Sequence, residues 1–408
     1  MADENKIVGL DIGTTKIAAI IAEIDESGPP KIIGIGTSPS EGLKRGVVIN
    51  LEKTVESVAS AVEDAEMMAG VKVDSVFAGI AGDHIRSINS RGVVAVSRSD
   101  HEITSADVDK VIEAAKTVAL PMDREIIHVL PQEFTVDDQP GIKDPVGMVG
   151  VRLETEVHIV TGAITSAQNI YRSVKKAGLE IWDLVLQPLA SSYALLSSDE
   201  EELGVALIDL GGGTTDFAMF YDGSIRHTGV VGLGGKNVTN DLAIGLRTPV
   251  DQAEEIKKLY GCAISSLVDP DETIQVPGVG GREPKQISRS VLAAIIEPRV
   301  EEILSLTLQE MKKSKFFDLL TAGVVLTGGG SLMQGMVELA EKTFDVPVRT
   351  GKPTGISDLE EMASSPIYST GVGLILYGWE QMKEGKSSSR LKAKGWFRKM
   401  KNIFSPYL

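Results

Sequence analysis

The strongest constraint on the fold is a strand–turn–strand unit that occurs twice. KIVGLDIGTTKIAAII begins at Lys6 and VALIDLGGGTTDFAMF at Val205. In both, a β-branched apolar strand ends in an aspartate, a glycine turn with hydroxyls follows, and a second apolar strand leads away. The shared core is Asp11, Gly13, Thr14 and Thr15 in the first copy and Asp209, Gly211, Thr214 and Thr215 in the second. Glycine lets a tight turn bring backbone N–H groups close to an anion, and threonine hydroxyls add donors. A strand-end aspartate can hold the water shell of Mg2+. Taken singly, such a segment is equally a plain β-hairpin. Two of them facing each other would grip one polyphosphate from both sides.

A third glycine cluster, GVVLTGGGSLMQG from Gly323, runs from an apolar strand into Gly328, Gly329 and Gly330, with Ser331 placed as the N-cap of a following helix. Without side chains, this backbone can approach a flat ring or a ribose. In this order the three segments resemble the phosphate-1, phosphate-2 and adenosine motifs of the actin/Hsp70/sugar-kinase ATPases. LVLQPLASSYA (184–194) and YSTGVGL (368–374) resemble that superfamily's two interdomain connectors. The resemblance covers most of the first 380 residues. The full Gly-x-x-x-x-Gly-Lys-Ser/Thr pattern is absent, which excludes a P-loop NTPase, and no strand is followed by the dinucleotide fingerprint.

At 408 residues and 42% hydrophobic, with alternating strand and helix patterns, the chain predicts a soluble α/β protein of two or more domains. One cysteine, Cys262, excludes an internal disulfide and suits a reducing compartment. The five histidines lack close ligand spacing, so zinc is not expected. MADENK is no signal peptide, and the longest uncharged run, 363–379, is too broken by Pro, Gly and Ser to span a membrane.

Charge is divided unevenly. The net charge is −16, but the segment from Lys386 onward carries seven basic residues and no acidic one, leaving −23 on the rest. Such a body does not suit nucleic acid. Residues 383–393 read as a flexible, serine-rich linker. Residues 394–405 then form an amphipathic pattern, with Trp396, Phe397, Met400, Ile403 and Phe404 on one helical face and Lys394, Arg398, Lys399 and Lys401 around the other. That pattern suits anionic lipid; packing on the globular body or insertion into a partner's groove are the other uses of such a stripe.

Between the first lobe's strands lies an insertion, 82–158. Thr104 and Asp107 have capping-box spacing ahead of VDKVIEAAKTVAL, REIIHVLPQEFTV and VRLETEVHIV read as strands, and Gln139 to Gly150 as a loop. It holds no catalytic cluster and reads as an interaction or structural subdomain.

An actin-like, ribonuclease-H-like two-lobed α/β ATPase with an α+β subdomain inserted here and a basic amphipathic helix after a linker resembles the FtsA family of bacterial cell-division proteins; VPGVGGREPKQISRSVLAAIIEPRVEEIL adds to the match. The domains read as 1–81 plus 159–195 (first lobe), 82–158 (insertion), 196–382 (second lobe, with 236–315 as an outer subdomain), linker and tail. The resemblance implies ATP binding, self-assembly into filaments, tethering of the FtsZ ring to the cytoplasmic face of the membrane at the division site, and recruitment of later division proteins. The alternative is a PilM-like scaffold of type IV pilus assembly, which the basic tail weighs against.

For the site, Asp11 and Asp209 are expected around Mg2+ through water, with Gly13, Thr14, Thr15, Gly211, Gly212, Gly213, Thr214 and Thr215 on the phosphates of ATP. Lys16 is either a phosphate counter-charge or an exposed turn lysine. Gly232, Gly234 and Gly235 form another glycine turn opening a helix, and the resemblance places Glu254, Glu255 and Lys257 near ribose and adenine; a solvated helix face has the same pattern. Gln187 stands where sugar kinases of the superfamily carry a catalytic aspartate. Glutamine is no general base at neutral pH and can only orient a water, so weak ATP turnover, not metabolite phosphorylation, is expected. The resemblance also places the FtsZ C-terminal peptide on the outer subdomain near Arg299, whose other use is an intrahelical ion pair with Glu301 or Glu302.

Overall fold

The computed structural model describes residues 5–25, 28–357 and 363–387. It opens with three antiparallel strands, β1 (Lys6–Ile12), β2 (Lys16–Glu23) and β3 (Lys31–Pro39). A short hairpin, β4 (Leu43–Lys44) and β5 (Val47–Val48), leads to α1 (Leu51–Ala69) and β6 (Ser75–Ile80). The insertion follows as β7 (Arg86–Ala95), α2 (Ser105–Ala115), β8 (Arg124–Val136), β9 (Gln139–Ile142) and β10 (Arg152–Ala163). α3 (Ile164–Lys176) and β11 (Glu180–Leu186) return the chain to the first sheet, ordered β11-β6-β1-β2-β3.

Helices α4 (Gln187–Leu195) and α5 (Ser198–Leu203) connect to β12 (Val205–Leu210), β13 (Thr215–Tyr221) and β14 (Ser224–Val231). The outer part of this lobe is α6 (Gly235–Leu246), α7 (Val250–Tyr260), the hairpin β15 (Thr273–Val276) and β16 (Lys285–Ser288), and α8 (Arg289–Met311). β17 (Gly323–Thr327), α9 (Met336–Phe344) and β18 (Val348–Thr350) complete the second lobe, and α10 (Ser369–Ser387), expected there, packs back on the first lobe against α4 and β1. The second sheet is ordered β14-β13-β12-β17-β18.

The two five-stranded sheets therefore repeat one plan. In each, three antiparallel strands are extended by two parallel ones, and the central strand ends in the aspartate of the repeated motif. Parallel pairing needs crossovers that cover both faces, which is why β1, β2 and β12 are apolar without alternation and almost wholly buried. One core gathers Ile7, Ile20, Val58 and Ile375; a second gathers Ile208, Phe217, Leu242 and Leu292 in the other lobe. α4 and α10 cross between them, with Ser191 and Thr370 hydroxyls 3.0 Å apart.

The insertion is an antiparallel sheet, β7-β10-β8-β9, with α2 on one face. Its helix starts at the expected capping box, with Asp107 accepting from the Thr104 N–H at 3.1 Å. Three expectations are corrected. The segment read as a loop from Gln139 contains strand β9, because Phe134 and Val136 of β8 pair with Ile142 and Gln139. β10 runs unbroken through 158 and 159, so that division falls inside a strand. α10 continues through Lys383 to Ser387, where a linker was expected. The rest of that linker and the amphipathic tail, including Trp396, Phe397, Met400, Ile403 and Phe404, lie outside the described residues.

Candidate functional site

The turns that follow β1 and β12 meet tip to tip. A β-carbon on Gly212 would stand 2.3 Å from the Thr15 methyl, and one on Gly213 2.7 Å from the Thr14 methyl. Both distances are below any tolerated contact, so glycine is required where one lobe's turn receives the other's threonines. This also places Gly213 against Thr14 instead of on the cleft. Gly13, Thr14, Thr15, Gly211, Gly212, Thr214 and Thr215 all line one cleft of about 820 Å³ between the lobes, a size suited to a nucleotide.

The floor of the cleft is acidic. Asp11 is buried and accepts from Gln187 Nε2 at 3.0 Å. Desolvation raises its pKa to about 6, against the pull of Lys16. Asp209 is pushed to about 7 by desolvation, then by Asp216 and Asp11. Gly328 stands beside it in the left-handed region, at φ 78°, and a β-carbon there would lie 2.2 Å from Asp209 Oδ1. Asp216, not singled out in the sequence, is buried on the same floor; desolvation raises it to about 6, and its carboxylate accepts from the Thr214 hydroxyl at 2.6 Å. Burial lowers Lys16 to about 8. Its ammonium is not an exposed turn group: it donates to the Ile367 carbonyl at 3.0 Å and lies 3.9 Å from the Tyr368 ring centre.

Gly234 and Gly235 also line the cleft, but the N-terminus of α6 is already engaged. The N–H groups of Gly235 and Lys236 donate to the Gly211 and Gly212 carbonyls at 2.9 and 2.8 Å, which braces the second turn. Lys236 Nζ crosses to the first turn and donates to the Thr14 carbonyl at 2.9 Å. Sequence reading missed this lysine, although it directly follows the glycine pair. Lys257 reaches the Gly235 carbonyl at 3.1 Å and Glu254 at 2.7 Å, so both lie at the rim. Glu255, one residue on, turns outward, with its side chain 62% exposed and paired with Lys258. Helical geometry puts consecutive residues on different faces, and Glu254 is the one directed inward.

Gly328, Gly329 and Gly330 form a further wall. Ser331 does not cap a helix: it sits inside a 3₁₀ turn (Gly329–Leu332), its hydroxyl donating to the Gly328 carbonyl at 2.7 Å, and α9 starts only at Met336. Arg289, another residue without a sequence signal, borders the same wall and bonds the Tyr260 carbonyl at 2.8 Å. Arg299 is away from the cleft on α8. It forks Asp241 of α6 at 2.5 and 3.2 Å and also reaches Glu302, joining two helices where only an intrahelical pair was expected as the alternative.

Comparison with known proteins bears on this arrangement. A family profile described as "Cell division protein FtsA" matches residues 206–373, and one described as "SHS2 domain inserted in FTSA" matches 82–161. The curated cell division protein FtsA of Pseudomonas aeruginosa is 50% identical over 383 residues, 94% of this chain and 91% of that one. The Escherichia coli protein of the same name is 41% identical over 392 residues, covering 94% and 93%. Among solved structures, a PilM–PilN type IV pilus biogenesis complex matches with TM-score 0.65 at 16% identity, over 91% of this chain and 98% of that one. MreB5 of Spiroplasma citri bound to ADP matches with TM-score 0.57 at 14% identity, over 94% and 99%. The structural matches speak to an actin-like fold alone. The pilus-scaffold alternative rests on the first of these distant likenesses, against sequence relatives that span nearly the whole chain.

Proposed function

The chain belongs to the FtsA family of actin-like cell division proteins, and we propose that its cleft binds one ATP between the two lobes. The observation that carries this reading is the meeting of the two aspartate–glycine–threonine turns in one cleft. The turns that carry Gly13, Thr14, Thr15, Gly212, Thr214 and Thr215 surround the phosphates, with Lys16 and Lys236 as cations. Lys257, Glu254 and Gly328 to Gly330 border the nucleoside. The donor set of the floor fits a divalent cation: burial raises Asp11, Asp209 and Asp216 alike, and Lys16 opposes this only at Asp11 and Asp209. Asp11 and Asp209 would hold Mg2+ through water, and the ion would neutralise phosphate charge.

Gln187 donates to Asp11 and orients a water, not a metabolite hydroxyl, so turnover is slow. Calorimetric titration should give one ATP per chain, dependent on Mg2+. Phosphorylation of a small-molecule hydroxyl at a metabolic rate would overturn the reading.

The finer partners follow the family. The FtsZ C-terminal peptide docks on the 236–315 region near Arg299, ATP-bound protomers form filaments, and later division proteins bind the insertion. Residues 394–405 anchor the chain to anionic lipid on the cytoplasmic face of the membrane. Five large apolar side chains contribute part of about 1.5–3 kcal/mol each at an interface, and each basic residue adds about 1 kcal/mol at most. Truncation after Lys386 should leave ATP binding intact and abolish co-sedimentation with anionic liposomes; equal sedimentation by the truncated chain would reject the anchor.

A further inference from the structure

The insertion belongs in sequence to the first lobe, yet one face of its sheet lies against β14, the outermost strand of the second lobe's sheet. From β7, the Ser87 hydroxyl donates to the Thr228 carbonyl at 3.0 Å and the Asn89 amide to the Arg226 carbonyl at 3.4 Å. From β8, Gln132 Nε2 donates to the Ile225 carbonyl at 2.7 Å, and the Ser224 hydroxyl returns a bond to the Gln132 carbonyl at 3.0 Å. His158 of β10 stands between Asn89 Oδ1 at 2.6 Å and the Thr228 hydroxyl at 3.0 Å. At the end of the seam, Lys143 pairs with Asp222 at 2.9 Å. The free carbonyls of an edge strand are thus satisfied by side chains of the insertion, where a neighbouring strand would otherwise pair.

Two observations bear on what this contact does. β14 pairs along its length with β13, and Thr215 and Asp216, at the start of β13, pair with Val231 and Val230. The strand held by the insertion therefore holds the turn that lines the nucleotide cleft. The seam is also imperfect: the Gln132 side chain is buried, and its Oε1 has no partner. An unpartnered buried carbonyl lowers the net gain of docking, because on release it regains water.

We propose that the insertion is a releasable third link between the lobes, beyond the α4–α10 crossing and the cleft itself, and that its release from β14 loosens the Gly211–Thr215 turn. Whatever binds the outer face of the insertion would then set how tightly the cleft holds its ligand. The link itself does not depend on the nucleotide reading; only its effect on ligand retention does.

The test uses the full chain and Ser87→Asp, which sets a carboxylate against the Thr228 carbonyl, with Lys143→Glu as a milder variant on an exposed pair. Met122→Ala, on an almost fully exposed side chain of the insertion, is the control. Without nucleotide, hydrogen exchange should rise in Ser87→Asp both at 224–231 and at 205–215, by about fivefold for the loss of one net hydrogen bond, and less in Lys143→Glu. Release of a fluorescent ATP analogue should accelerate by a similar factor. Exchange that rises at 224–231 while 205–215 stays at the control level overturns the link, as does no rise at either segment. If both segments rise but wild-type protein binds no analogue, the link stands and the nucleotide reading fails.

Discussion

The turn after β1 and the turn after β12 present an aspartate from the same strand-end position to the same cleft, yet the two carboxylates keep different company. Asp11 has the Gln187 amide at 3.0 Å and feels the Lys16 charge. Asp209 is pushed by both Asp216 and Asp11, against Lys16 and the Thr370 hydroxyl, and has room only because residue 328 is glycine. The turns also differ in shape: the first carries threonine methyls outward, and the second carries glycines that receive them. A duplicated plan has thus become a complementary pair, one half supplying bulk and a cation, the other supplying space and surplus negative charge.

The largest effect should come from removing that shape complementarity. Gly212→Val forces a β-carbon into the Thr15 methyl, so ATP binding should be lost, and stability should fall by about 1–3 kcal/mol, the usual cost of overpacking. Thr15→Gly should restore part of both. A double-mutant cycle read by thermal unfolding and titration measures the coupling, and strict additivity would show that the turns do not interlock.

Removing the surplus charge should separate binding from stability. Asp209→Asn should abolish Mg2+-dependent ATP binding while raising the stability of the nucleotide-free protein by roughly 1 kcal/mol, since a desolvated like charge disappears. Asp11→Asn should also abolish binding with a smaller gain, because no second carboxylate adds to the burial that raises Asp11. Equal gains would erase the difference drawn between the two acids.

The same difference has a pH signature. Both carboxylates are raised in the folded chain, to about 6 and about 7 from an ordinary 3.8. Between the two ranges the folded state binds more protons than the unfolded one, so stability falls as pH rises from about 4 to about 7 and levels off above that. The nucleotide-free protein should unfold at a higher temperature at pH 5.5 than at pH 8 for this reason, and Asp209→Asn should remove more of the slope than Asp11→Asn. A slope unchanged in both variants would assign the titration elsewhere.

Smaller effects are expected away from the turns. Gln187→Ala should slow ATP turnover about tenfold or more through loss of water orientation, with binding nearly unchanged. Arg299→Glu should weaken the FtsZ C-terminal peptide in an anisotropy titration while leaving ATP binding intact. It also sets a carboxylate against Asp241, so circular dichroism should accompany it to confirm that α6 and α8 still pack.

Much of this was legible in the chain. The repeated Asp-x-Gly-Thr plan is local, and a strand running into glycines keeps its meaning out of context. Gln187 and the glycine triplet were readable for the same reason. Glu254 and Glu255 were not separable, because both fit a polar helix and only the tertiary placement of α7 turns one of them inward. Ser331 had the right residue type for a helix cap, but the backbone closed a 3₁₀ turn first. Lys236, Asp216 and Arg289 gave no signal, since a lone charged residue becomes part of a site only when distant segments meet around it. The seam between the insertion and β14 was invisible for that reason too: its partners are far apart in sequence and bond to backbone carbonyls, which leave no trace in side-chain chemistry.

Whether both turns hold the same nucleotide is asked most directly by titration of wild-type, Asp11→Asn and Asp209→Asn protein with ATP in the presence of Mg2+. The expected result is one ATP per wild-type chain and no measurable binding in either variant. Retention of near wild-type affinity in one variant, or two ATP molecules per chain, would contradict it.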